Sequence, residues 1–216
     1  MLKCEEICLC HNGWKATLCA ASNVGGRTLK SDMFDVIQED LEAFEPRLEK
    51  AIVSETALIT DIGMHLVSSG GKRLRPALFL LAARGGASFD RGRAMPVAVA
   101  LELIHTASLV HDDVIDEADT RRGAETTNAK WGNQVAILSG DYIFARAFKL
   151  VAEEGYDSSV YVKLAHLVCT LSEGEILQDH TVYQIPTSEH AYYERIRKKT
   201  ADFLEICCEL GGFIGG

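Results

Sequence analysis

Apolar residues recur at helical spacing along most of the chain. Phe34, Ile37, Leu41, Phe44 and Leu48 fall on one side of a 3.6-residue repeat, and Leu58, Ile62, Leu66 and Val67 continue it. Pro46 predicts a break between two helices here. Ser68-Ser69-Gly70-Gly71 ends this pattern. Pro76 suits the first turn of the next helix, which runs through Leu78, Leu81 and Ala82 to Gly85-Gly86. A turn then leads to a longer helix that includes residues 101–123, where Leu101, Ile104, Leu109 and Ile115 lead to a run of acids. Residues 133–154, 157–180 and 188–212 give three further helical patterns. No strand alternation stands out. The prediction is an all-α protein of about eight helices, without internal repeats.

Residues 1–32 differ from the rest. They hold Cys4, Cys8, Cys10, His11 and Cys19 but no helical period, and the spacing matches no zinc motif. Glu5, Glu6 and the lack of an apolar core argue against a signal peptide. They read as an irregular tail, with Met33 a possible start of the folded unit, residues 33–216.

Composition narrows the function. The chain is 216 residues long, 47% apolar and 25% charged, enough for one domain or a large part of one. A net charge of −9 argues against a nucleic-acid partner. No apolar run approaches membrane-spanning length. Seven cysteines without paired spacing suit a reducing, cytoplasmic compartment.

The acids carry the chemistry. Asp112 and Asp116 lie one turn apart on a helix, with Asp113 between them and Asp119 beyond. Crowded carboxylates repel unless a cation or water screens them, and at a helix C-terminus they also oppose the dipole. Hard oxygen ligands at this spacing suit Mg²⁺. Arg121 and Arg122 follow directly, and a guanidinium fork grips phosphate oxygens. A Mg²⁺-diphosphate site accounts for both; a solvated acidic helix end is the plainer alternative. His105 lies two turns below Asp112 on nearly the same line.

Two further stretches extend the picture. Gly70-Gly71-Lys72-Arg73-Leu74-Arg75-Pro76 combines flexible backbone, three cations and a helix start, which suits a phosphate or merely a basic surface turn. It lacks the spacing of a nucleotide P-loop. Glu175, Gln178 and Asp179 share a polar face on an otherwise apolar helix, and Arg195, Arg197, Lys198 and Lys199 precede Thr200 as a basic cluster.

Six segments in order resemble the trans-isoprenyl diphosphate synthases, the polyprenyl synthetases. They are GGKRLRP (70–76), IHTASLVHDDVID (104–116), RRG (121–123), LSGDYIFARAF (138–148), GEILQ (174–178) and KTA (199–201). The resemblance implies an isoprenoid synthase fold, all-α, with helices around a central cavity. It implies condensation of isopentenyl diphosphate with an allylic diphosphate, assisted by Mg²⁺ on Asp112, Asp113 and Asp116. Arg121, Lys199 and Thr200 would contact the allylic diphosphate. Lys72, Arg75, His105 and Arg122 would hold the isopentenyl diphosphate, and Gln178 would lie along the reacting site. Small residues at Ala107 and Ser108, four and five before Asp112, imply a long product in the heptaprenyl to decaprenyl range. The family is usually dimeric, so a homodimer or heteromer is implied.

The family's second aspartate-rich motif and the lysine after it are absent from these 216 residues. Glycines in GGFIGG make a poor helix end. The expectation is therefore a domain whose C-terminal part is missing and whose turnover alone is negligible. The alternative is a non-catalytic or regulatory subunit of a heteromeric synthase. A terpene cyclase is disfavoured, because it needs no second diphosphate subsite.

Overall fold

The computed structural model describes residues 34–181 and 188–216. The expected tail, with its cysteines and His11, lies outside the described residues. Helices dominate what is described. They are α1 (Gln38–Ile52), α2 (Ala57–Ser68), α3 (Leu74–Arg84), α4 (Arg91–Ile115), α5 (Thr127–Trp131), α6 (Asn133–Glu153), α7 (Ser158–Thr181), α8 (Glu189–Ile196) and α9 (Asp202–Gly215). A π turn, Arg197–Ala201, joins α8 to α9.

The centre is α4. Every residue from Ala94 to Ile104 is buried, so this stretch is enclosed on all sides. Asp90 starts α4 by accepting from the Gly92 amide at 2.7 Å. Leu101, Leu103 and Ile104 are each at most 1% exposed, worth roughly 1.5–3 kcal/mol apiece in burial. Length and composition alone would let α4 cross a membrane, which corrects the expectation that no segment could. However, 72% of its apolar window is buried inside the protein.

Two other expectations change. Pro46 lies inside α1 and does not divide it. It removes one backbone bond, but Phe44 and Leu48 on either side are fully buried and keep the helix docked. Strands also exist: Thr120–Arg121 (β1) pairs antiparallel with Ala124–Glu125 (β2). The turn residues Arg122 and Gly123 have φ of 53° and 81°, the backbone that a two-residue hairpin with right-handed strand twist requires. Strands this short leave no alternation to read.

Gly211 and Gly215, near the end, serve packing. α9 runs through them to Gly215. A Cβ on Gly211 would sit 2.3 Å from the Phe79 carbonyl oxygen, and one on Gly215 would sit 2.2 Å from that of Ala83. Four residues apart, these two glycines let α9 lie directly on the backbone of α3.

Candidate active site

Three loops or helix ends meet beside the C-terminal half of α4. Asp112 is half-buried, Asp113 buried, and Asp116 exposed at the helix C-cap. Burial raises Asp112 to about 6, and the Glu175 carboxylate adds to this; Lys199 and Arg121 oppose it. Asp113 accepts from Arg121 Nε at 2.7 Å. This ion pair draws the hairpin β1–β2 onto α4. Thr126 and Asn128 hold its far end through the Ala118 carbonyl, at 2.7 and 3.0 Å.

Among the described residues, no group of three His, Cys, Asp or Glu side chains is arranged to hold a metal. Of the expected trio Asp112, Asp113 and Asp116, Asp113 is engaged by Arg121. Asp112 and Asp116 remain. Mg²⁺ binds through one or two carboxylates and completes its shell with water or phosphate oxygens, so this pair fits Mg²⁺ arriving with a diphosphate. A cation there would also relieve the raised Asp112.

A second, cationic centre lies around His105. Its pKa is lowered to about 3, first by burial and then by Arg75, Arg122, Arg121 and Arg73. The imidazole is therefore neutral among four guanidinium groups. Its ring stands edge-on to Phe203 at 6.1 Å, and the Arg75 guanidinium covers the same ring at 4.6 Å. Arg75 Nε is buried with no hydrogen-bond partner. Such an orphaned donor fits an anion as its missing partner. Arg122 donates to the Gly70 carbonyl, which locks the hairpin to the 70–76 loop. Lys72 is exposed on that loop. Beside His105 lies a cavity of about 50 Å³, lined also by Gly70, Arg73, Asp113, Arg121 and Arg122 among others.

The third part comes from α7 and the π turn. Lys199 Nζ lies 2.9 Å from Glu175 and donates to Gln178 Oε1 at 3.0 Å. Gln178 in turn donates to Glu175 at 3.1 Å. Gly174 permits this contact, since a Cβ there would sit 3.2 Å from Lys198 Cβ and 3.3 Å from the Lys199 nitrogen. Thr200 is exposed in the same turn. Arg197 and Lys198 pair instead with Asp202 at 2.9 Å and Glu173 at 2.6 Å. Ala107 is fully buried in the core, whereas Ser108 is half-buried.

Several supporting residues escaped the sequence reading. Glu102 is a buried carboxylate in an apolar helix, and its need for a cation was a usable signal. His111 lies 3.1 Å from the Ile137 carbonyl, over Gly140, where a Cβ would come within 2.2 Å of its ring. Nothing in the local pattern marks that contact.

The fold is all-α, and the end of α4 brings acidic side chains together with arginines from the hairpin. The chain belongs to the polyprenyl synthetase family, which matches it over residues 56–216. It is 46% identical over 184 residues to heptaprenyl diphosphate synthase component 2 of Geobacillus stearothermophilus, covering 85% of this chain and 57% of that protein. It is 35% identical over 182 residues to octaprenyl diphosphate synthase of Escherichia coli, covering 84% and 56%. Among solved structures, a decaprenyl diphosphate synthase from Rhodobacter capsulatus superposes with a TM-score of 0.78 at 39% identity, covering 86% and 57%. A polyprenyl synthase from Caulobacter crescentus, complexed with calcium and isoprenyl diphosphate, gives 0.80 at 33%, covering 85% and 56%. The chain thus spans little more than half the length of these relatives.

Proposed function

We propose that this chain forms the substrate-binding part of a prenyltransferase that condenses isopentenyl diphosphate with an allylic diphosphate into a long-chain trans-polyprenyl diphosphate. The observation that carries the reading is the neutral His105 among Arg73, Arg75, Arg121 and Arg122, beside the Asp112–Asp116 pair. One diphosphate suits the cationic pocket, where Arg75, Arg122, His105 and Lys72 would hold isopentenyl diphosphate. The other suits the acidic side, where Arg121, Lys199 and Thr200 would hold the allylic diphosphate and Gln178 would lie along the reacting site. Asp112 and Asp116 would hold Mg²⁺, which when bound supplies the charge neutralisation that makes diphosphate a leaving group. The allylic C–O bond breaks and the isopentenyl double bond supplies the electrons of the new C–C bond. The proton lost in that step passes to the released diphosphate. Fixed cations around both diphosphates favour the charge that develops on departure.

The names of two relatives, each the second component of a heptaprenyl synthase, support a heteromeric assembly; the family resemblance leaves a homodimer as the alternative. Calorimetry tests the reading. The purified chain should bind isopentenyl diphosphate without metal and farnesyl thiolodiphosphate only with Mg²⁺. A helical, folded chain that binds neither would refute it.

A further inference from the structure

Arg73 sits between Lys72 and Leu74 in the cationic loop, yet its side chain is occupied by two carboxylates of the protein. Its guanidinium fork is fully engaged with the protein. Nε and Nη2 donate to Glu45 at 2.9 and 3.2 Å, and Nη1 donates to Glu102 at 3.0 Å. Nη2 also approaches the Val67 carbonyl at 3.5 Å. One side chain thus ties the loop to α1, to the end of α2 and to α4. The backbone of Arg73 is left-handed, with φ 47° and ψ 33°. A residue with a side chain adopts this conformation only where its surroundings hold it. Glu102 lies one turn before His105 on α4, so the ion pair fixes the loop against the helix that carries the histidine. Gly71 leaves room for the arrangement, since a Cβ there would come within 3.0 Å of Arg122 Nη1 and 3.3 Å of Arg73 Nη1.

We propose that Arg73 is a positioning residue: anchored to Glu45 and Glu102, it holds the 70–76 loop so that Lys72 and Arg75 meet a diphosphate in register with His105. The proposal rests on the function proposed above. A plain structural ion pair would stabilise the fold and leave ligand preference alone; buried pairs of that kind are often replaced by apolar residues without loss. Here the anchored residue sits in a left-handed turn between exposed neighbours, Lys72 and Leu74, so an apolar replacement supplies no force to keep that turn.

The test is calorimetric titration of the 216-residue chain with isopentenyl diphosphate, and separately with farnesyl thiolodiphosphate plus Mg²⁺. The double variant Arg73→Met/Glu102→Gln removes Arg73 together with the charge of its buried partner and leaves Glu45, which is partly exposed, to water. It should keep its helicity and its farnesyl thiolodiphosphate affinity within about two-fold. Its isopentenyl diphosphate affinity should fall by about ten-fold or more, the scale of one misplaced charge-assisted contact. Glu102→Gln alone keeps an acceptor for Nη1 and should restore binding close to wild type. If the double variant unfolds, Arg73→Lys, which keeps the charge without the fork, should show the same selective loss. Unchanged isopentenyl diphosphate affinity, or equal losses for both ligands, overturns the proposal. A wild-type chain that fails to bind either ligand overturns the proposed function instead, and the inference with it.

Discussion

Replacing Gly211 by Ala should destabilise the protein, although the same change at the adjacent Gly212 should stabilise it. In a helix interior, Gly→Ala normally gains roughly 0.5–1 kcal/mol, because Ala loses less conformational freedom on folding. Gly212 is exposed, and a Cβ there would meet nothing within 4 Å, so Gly212→Ala should show that gain in full. At Gly211 a Cβ would stand 2.3 Å from the Phe79 carbonyl oxygen, 2.7 Å from Ala82 Cβ and 3.1 Å from the Ala83 nitrogen. Two of these three atoms belong to the backbone of α3, which cannot swing aside as a side chain tip can. To reach ordinary contact α9 must retreat by about 1 Å, which loosens the packing of Phe203, Cys207 and Leu210 along the same face. Overpacking of this kind costs about 1–3 kcal/mol, and the loosened contacts add to it. The net loss expected for Gly211→Ala is therefore about 1–3 kcal/mol after the propensity gain is subtracted. Urea unfolding followed by circular dichroism measures both variants. If Gly211→Ala is as stabilising as Gly212→Ala, α9 does not rest on α3 as described.

Other outcomes follow from single side chains. The folded-state pKa of His105 is about 3, below its ordinary 6.5, so the unfolded chain takes up the proton first as pH falls. Stability should therefore be lost from about pH 6.5 downwards, and His105→Gln should remove that slope, a difference on the order of 3 kcal/mol at pH 4 as an upper limit; parallel slopes for the two proteins would refute it. Asp40 is fully buried and accepts from Arg84 at 2.7 Å and Arg91 at 2.5 Å, so Asp40→Asn should cost about 1–3 kcal/mol in urea unfolding, the arginines being partly solvated. Ala107→Phe should destabilise by about 1–3 kcal/mol because it overfills the core, while Ser108→Phe should leave the melting temperature nearly unchanged and shorten the products of the full-length enzyme. Shorter products from a stable Ala107→Phe enzyme would instead put position 107 on the product path.

Much of this was legible from spacing. Ile37, Leu41, Phe44 and Leu48 announced α1 because the core takes them all, and the carboxylates of α4 stood out because helical repetition put them on one face. Pro46 misled because local propensity said break, while burial of its neighbours decided otherwise. The hairpin was invisible as a strand pair, yet Arg122-Gly123 before Ala124 carries the turn residue that such a loop demands. The pairing of Asp113 with Arg121 and the anchoring of Arg73 by Glu45 and Glu102 were beyond reach. They join residues 8, 28 and 29 positions apart, on elements whose mutual placement only the fold determines. The glycines of the last helix show the same limit, since a residue valued for what it leaves out gives no signal until its neighbour is known.

The π turn at Arg197–Ala201 sets how the chain would respond to a change in its length. A π turn holds one residue more than the α-helical turn it replaces. Such a turn accommodates one extra residue while the helices on both sides keep their contacts. Lys199 sits within that extra turn and reaches Glu175 and Gln178 from it. The wider turn aims Lys199 at these neighbours without disturbing the packing of α9. Deleting one residue from this stretch would ask the chain to choose between the two: either α9 keeps its seat on α3, or Lys199 keeps its aim.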